Sequence, residues 1–223
     1  NRMTNHNSEN DARERESARS QFSAGLATPR EGYKRPFDLS VLVVSHVVFS
    51  PLWVALWIGI ALIIWLNDKG PVLYGQLRVG KDGEPFMVWK FRTMVVDAER
   101  LTGPVWAGEH DQRVTRVGRY LRRFRMDELP QVINIMKGEM SLVGPRPERP
   151  QLVEQFSKEI PGFGTRHRVR PGFAGLAQVR GRYSTSPRNK LRYDNLYIRK
   201  MSPWLDVKLL FQALLVVLGG SPH

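Results

Sequence analysis

The chain has no cysteine, which excludes disulfides and thiolate metal sites and is compatible with a reducing compartment. Its five histidines form no His-Glu-x-x-His pattern, and neither a glycine-rich phosphate loop nor a credible serine or cysteine triad is present. Acidic residues are scarce: 21 Asp and Glu stand against 34 Lys and Arg, a net charge of +13. That excess suits nucleic acid, anionic lipid headgroups or phosphorylated substrates. Long apolar runs are scarce as well. There is one, Leu39 to Leu66, 28 residues without a charged side chain.

At roughly 20 apolar residues per crossing, this run is long enough to span a bilayer. Two features argue against a simple span. Ser50-Pro51 sits at its centre, and an internal proline breaks or kinks a helix, with the serine hydroxyl able to satisfy freed carbonyls. The halves, 39–50 and 51–66, would be about 18 and 24 Å long, each short of a core of about 30 Å. The flanks are also balanced, with Arg30, Lys34 and Arg35 before the run and Lys69, Arg78 and Lys81 after it. Positive residues favour the cytoplasmic side, and this symmetry gives no bias toward opposite sides. A helix hairpin that enters and leaves on one face fits both features; a kinked single span is the alternative. The run is too long for a signal h-region and lacks a cleavage pattern, so it reads as an anchor. Residues 1–38 carry a net +1, seven basic against six acidic, which leaves +12 for 67–223. Beside a membrane element, lipid and phosphate partners outweigh DNA.

Residues 1–30 are polar with little to bury, and read as a disordered tail. Val72–Leu77 and Phe86–Phe91 read as strands of a hairpin about the Asp82-Gly83 turn signal. A helical pattern runs from Thr93 to about Leu101, followed by a loop over 102–111. Helices are expected over Arg116–Met126 and Glu128–Lys137, the second with Pro130 in its first turn and Gly138 at its end. Ser141–Glu148 reads as a stiff loop in which Pro145 and Pro147 bracket Arg146, and Leu152–Ile160 as a short helix. Pro161–Arg182 reads as a long functional loop. Trp204–Leu218 is apolar but short for a span, and suits a helix packed on the core or lying in the membrane interface.

Chemistry has few places to reside. His46 lies inside the apolar run and reads as a packed histidine, and Glu109-His110-Asp111 as a solvated polar cluster. What remains is a carboxylate pair in a field of arginines. Arg113, Arg116, Arg119, Arg122, Arg123 and Arg125 directly precede Asp127-Glu128. Spacings of three place the first four near one helix face, which on its own describes a solvated or lipid-facing surface. Asp127-Glu128 can equally be a helix N-cap with a first-turn acid. The functional alternative is a carboxylate held ionised among cations, able to attack phosphorus or to coordinate Mg²⁺ together with substrate phosphates. Arg146, fixed between prolines, would clamp a phosphate bidentately. Arginine and Mg²⁺ are what phosphoryl transfer needs at its charged transition state.

Here the sequence resembles the bacterial sugar transferase family, the monotopic polyprenyl-phosphate phosphoglycosyltransferases. The resemblance covers about Lys34 to Leu218. Its pieces are Lys34-Arg35-Pro36-Phe37-Asp38, Ser50-Pro51, Gln76-Leu77-Arg78-Val79-Gly80 and Lys90-Phe91-Arg92-Thr93-Met94. Then come Asp127-Glu128-Leu129-Pro130-Gln131, Asn134 and Met140 through Glu148. Arg170-Pro171-Gly172, Gly175-Leu176-Ala177-Gln178-Val179, Tyr193-Asp194 and Tyr197 close the series. Each piece is weak alone; the ordered set is specific.

The resemblance implies an α+β membrane-associated fold with three parts: a polar tail over 1–33, a re-entrant helix hairpin over 34–68 broken at Ser50-Pro51, and a catalytic domain over 69–223 with a small β-hairpin and short amphipathic interfacial helices. The domain would lie on the cytoplasmic face of the bacterial inner membrane. The implied reaction moves a sugar-1-phosphate from a UDP-sugar to undecaprenyl phosphate and releases UMP, as the first membrane step of exopolysaccharide, O-antigen or capsule-type glycan synthesis. Asp127 would be the nucleophile and a ligand of Mg²⁺, and Glu128 its partner. Arg146 would bind phosphate, with Lys90, Arg92, Arg122 and Arg170 as further phosphate or nucleotide contacts. Membrane lipid is an expected partner, nucleic acid is not, and homo-oligomerisation stays open. The competing readings are a non-catalytic basic module binding anionic lipid or nucleic acid, and a lipid-phosphate phosphatase, for which no nucleophile motif is evident.

Overall fold

The computed structural model describes residues 29–98, 111–181 and 185–219. Most of the tail, the loop over 102–110 and the Glu109-His110 pair lie outside the described residues.

The apolar run forms two helices, α1 (Lys34–Val48) and α2 (Ser50–Asp68), joined at Phe49, whose φ of −110° and ψ of 26° leave the helical region. Pro51 sits in the first turn of α2, where its missing N–H costs nothing. The side chains that meet across the break are Ser45, whose hydroxyl accepts from the Trp53 indole at 3.2 Å, and His46, which stacks on Trp53 at 4.6 Å. α2 runs on to Asp68, so its 19 residues reach about 28 Å. It is therefore longer than the proline position alone suggests, and is the one helix among the described residues long and apolar enough to cross a membrane.

Both ends of the pair are rooted in the same folded body. At the start of α1, the buried Lys34 Nζ donates to the Val143 carbonyl (2.6 Å), the Tyr197 hydroxyl (2.7 Å) and Asp206 Oδ2 (2.7 Å). Asp38 accepts from the Leu142 N–H at 3.1 Å, and Arg35 donates to the carbonyls of Ile135 and Met136. At the end of α2, Asp68 pairs with Arg92, and Ile60 and Ile64 pack on Phe91 and Leu121.

The β-hairpin forms as expected: β1 (Leu73–Val79) pairs antiparallel with β2 (Pro85–Phe91), Val79 opposite Pro85. Asp82 and Gly83 both take positive φ (55° and 85°) at the turn. The helix expected from Thr93 does not form over its described part. Instead Met94 bridges antiparallel to Val114, and Asp97 takes a φ of 59°. The expected Arg116–Met126 helix is shorter: α3 is Arg116–Arg123. The chain then reverses through Arg125 (φ 52°) into a 3-10 turn, Met126–Glu128, and only then enters α4 (Gln131–Lys137), which Gly138 ends in the left-handed region.

The stiff loop begins as a strand. β3 (Ser141–Val143) pairs parallel with β4 (Gly172–Ala174), so close that a Cβ on Gly172 would stand 1.9 Å from the Gly144 nitrogen. Between them lies α5 (Pro150–Glu159). The region expected as a long loop holds a 3-10 segment, Phe163–Arg168, then β4 and α6 (Leu176–Arg180). α7 (Pro187–Lys200) was not anticipated; α8 (Pro203–Leu218) was. The main core gathers Leu42, Val88, Ile135, Val143, Tyr197 and Leu209 from α1, β2, α4, β3, α7 and α8.

Candidate active site

Glu128 is where the structure gathers charge. Its carboxylate is buried in the 3-10 turn, and Lys90 Nζ from β2 reaches Oε1 at 3.0 Å. Arg146 from the loop after β3 donates to Oε1 at 2.5 Å and to Oε2 at 3.4 Å. Burial pushes Glu128 up, but Arg146 and Lys90 outweigh it and hold the carboxyl well below the ordinary range. Asp127, its buried neighbour, behaves oppositely. Burial raises it to about 6; Lys90, Arg122 and Arg146 oppose that rise, and the Glu128 charge adds to it. The two carboxylates thus have separate jobs: Glu128 fixes the cations, and Asp127 is the less compensated charge among them. Neither caps α4, whose N-cap is Pro130 with no side-chain capping bond.

Each member is delivered by a specific device. Asn134 on α4 donates to the Met87 carbonyl at 2.7 Å and accepts from the Trp89 N–H at 3.2 Å, locking the helix after the carboxylate pair to the strand carrying Lys90. Thr93 holds α3: its carbonyl accepts from the Thr115 N–H at 3.0 Å, and its hydroxyl accepts from Arg122 Nε at 2.9 Å. Gly118 permits that approach, since a Cβ there would lie 2.0 Å from the Thr93 carbonyl oxygen. Arg125, in the left-handed region without being glycine, sets the reversal that turns the pair inward.

The Pro145-Arg146-Pro147 loop is gripped along its backbone. The Pro145 carbonyl accepts from Gly172 N–H (2.9 Å), Arg146 from Arg166 Nη2 (2.8 Å), Pro147 from Arg78 Nη1 (3.0 Å), and Glu148 from Val79 N–H (3.0 Å). Burial lowers the Arg78 guanidinium to about 10, with the Arg146 charge adding to that drop.

Of the expected site residues, Asp127, Glu128, Lys90 and Arg146 come together, and Arg122 joins them electrostatically. Arg92 does not; it turns to Asp68 at the root of α2. Arg170 is apart too, its Nε donating to the Gly138 carbonyl at 3.0 Å and its N–H to Glu31. Asn134, Thr93, Arg78 and Arg166 are structural partners of the site that sequence reasoning gave no role. Their signal, hydrogen bonds to partners distant in sequence, is invisible along the chain.

No group of three His, Asp or Glu that could hold a metal occurs among the described residues. Asp127 could contribute one carboxylate while Glu128 is committed to cations, so these residues fit an Mg²⁺ shared with a substrate diphosphate rather than a closed protein site.

The profile described as bacterial sugar transferase matches residues 29–220. The chain belongs to this family. A UDP-N-acetylgalactosamine-undecaprenyl-phosphate N-acetylgalactosaminephosphotransferase of Aeromonas hydrophila is 44% identical over 204 residues, covering 90% of this chain and 47% of the relative. UDP-glucose:undecaprenyl-phosphate glucose-1-phosphate transferases of Klebsiella pneumoniae and Caulobacter vibrioides are 42% and 41% identical, each over 80% of this chain, covering 38% and 67% of the relatives. The family member described here thus spans less than half the length of the first two of these relatives.

Proposed function

We propose that this chain transfers a sugar-1-phosphate from a UDP-sugar to undecaprenyl phosphate by way of a covalent aspartyl intermediate. The observation that carries the proposal is the split carboxylate pair, with Glu128 clamped between Lys90 and Arg146 beside an Asp127 raised to about 6. At neutral pH such an aspartate is mostly ionised yet poorly solvated, the condition of an activated nucleophile. An Asp127 oxygen attacks the phosphorus next to the sugar, the bond to the UMP oxygen breaks, and UMP leaves with that electron pair. An oxygen of the lipid phosphate then attacks the same phosphorus and displaces the carboxylate. Arg146, Lys90 and Arg122 neutralise the charge that builds on the phosphoryl oxygens. Bound Mg²⁺, held by Asp127 and the diphosphate, would add Lewis-acid stabilisation.

The relatives' names support the reaction class and diverge on the sugar, N-acetylgalactosamine in one and glucose in two. The helix pair supports a lipid acceptor. Twelve large apolar side chains between Val43 and Leu66 are exposed. Leaving them in water would cost on the order of 10 kcal/mol or more, comparable with the whole stability of a domain, about 5–15 kcal/mol. Lipid on the cytoplasmic face of the bacterial inner membrane covers them in a re-entrant hairpin whose two ends stay with the catalytic body.

The test is incubation with a set of UDP-sugars, Mg²⁺ and undecaprenyl phosphate. UMP release is expected with at least one sugar and is lost in Asp127→Asn. Full activity of that variant overturns the nucleophile, and no UMP from folded protein favours a lipid-binding module without chemistry.

A further inference from the structure

Arg146 can clamp a phosphate only if its own backbone does not move, and the structure shows what stops it. Four consecutive carbonyls, Pro145 to Glu148, are captured from β1, β4 and the 3-10 segment Phe163–Arg168. Three of those bonds come from ordinary neighbours. Val79 and Arg78 belong to β1, beside the loop, and Gly172 to the paired strand.

The fourth is different. Arg166 is almost fully buried, at 3% of its surface, and reaches the carbonyl of Arg146 itself. Its other contacts hold it in that pose. Nη2 pairs with the buried Asp194 Oδ2 at 2.8 Å, Nη1 lies 3.9 Å from Glu148 Oε1, and the guanidinium stands 5.1 Å from the Phe163 ring centre. Burying a guanidinium and a carboxylate is costly unless geometry and hydrogen bonds compensate. Hydrophobic side chains could fill the space between α7 and the 3-10 segment at lower cost. The pair is the arrangement that can deliver a fixed donor to the one carbonyl belonging to the phosphate-clamping residue.

We propose that Arg166, braced by Asp194, is a positioning residue for Arg146. It acts through the Arg146 backbone and touches no substrate. This inference rests on the transfer reaction proposed above, and concerns how that site holds its donor diphosphate. Arg146 faces Glu128 on one side and must present its remaining donors to phosphate on the other. A loop displaced by an ångström loses that alignment, and with it contacts to the donor in both the bound and the transition state, so binding weakens together with rate.

A double-mutant cycle in the full chain, reconstituted in lipid vesicles, tests this. The variants are Arg146→Lys, Arg166→Gln and the two combined, assayed with the UDP-sugar that the wild type turns over. Arg166→Gln should raise KM for the donor and lower kcat/KM by about tenfold to a hundredfold. Combined with Arg146→Lys it should add little, because both changes remove the same alignment. Effects that multiply, or a fall in kcat at unchanged KM, would mean that Arg166 only supports the fold, and would overturn the proposal. Should Arg166→Gln fail to fold, Asp194→Asn decides. It leaves the guanidinium in place but removes its charged brace, and must show the same non-additivity with Arg146→Lys. The cycle is also read on UDP binding affinity, which needs no turnover. A wild type that binds UDP yet releases no UMP sinks the transfer reading alone, while additive losses in UDP affinity sink the role of Arg166.

Discussion

Asp127 and Glu128 are adjacent, both buried, and displaced in opposite directions, because the cations contact one and only approach the other. The signs bear on both rate and stability. An attacking carboxylate must be ionised, so on the proposed reaction the rate of UMP release should rise as pH rises through about 6 and then level off, as a pH–rate profile will show. A carboxyl raised in the folded state is ionised at a cost at neutral pH, and that cost vanishes once it is protonated in both states. Asp127→Asn should therefore melt higher than wild type at pH 7, with the gap closing as pH falls below about 6 towards 4, while activity is lost. Glu128→Gln should do the reverse: it strands Lys90 and Arg146 beside an uncharged amide, and should lose about 1–3 kcal/mol in denaturant melts, discounted for the exposure of both cations. The carboxylate pair and Arg146 were legible in the sequence through residue type and the Pro-Arg-Pro bracket. The roles of Thr93, Asn134 and Arg166 were not, because each bonds a partner between 20 and 47 residues away.

Elements were read well where the signal was local. The Asp82-Gly83 turn and the Ser50-Pro51 break both appear near where their backbone chemistry puts them. β3 and β4 were missed because three-residue strands carry no period and their pairing crosses a gap of about 30 residues. α7 had a readable start, Ser186 accepting from the Asn189 N–H ahead of Pro187, and an inward stripe of Leu191, Asp194 and Ile198. Its arginines and lysines masked that stripe. The β3–β4 contact admits no side chain at Gly172, so Gly172→Ala should abolish UMP release by displacing the Arg146 loop even where protein accumulates. For the helix pair, the absence of cysteine makes labelling direct. Arg30→Cys and Pro71→Cys should react with an impermeant maleimide from the same side of oriented vesicles; opposite sides would restore a single span.

At the scale of the whole molecule, a net charge of +13 and an exposed apolar helix pair act together. On the proposed membrane reading, charge would draw the protein to anionic headgroups over about 8–10 Å at physiological salt, and apolar burial would then hold it. Vesicle association should accordingly be faster on anionic than on zwitterionic lipid, yet 1 M salt should fail to strip the protein once bound. Release by salt alone would reduce it to an electrostatic surface module. The exposed apolar face of α8, with Trp204 at 78% of its surface, lies beside the buried Asp206 that holds Lys34.

That Lys34–Asp206 bond also sets a clock. Asp206 is made 172 residues after Lys34, about 9–35 s later at about 5–20 residues per second. The apolar pair is synthesised long before the partner of its own root exists. A chain interrupted between residues 128 and 205 holds the apolar pair and Asp127 but leaves the Lys34 ammonium without the carboxylate it bonds in the fold. α8 thus completes the root of α1, and the fold around that root closes only after the apolar pair has been made.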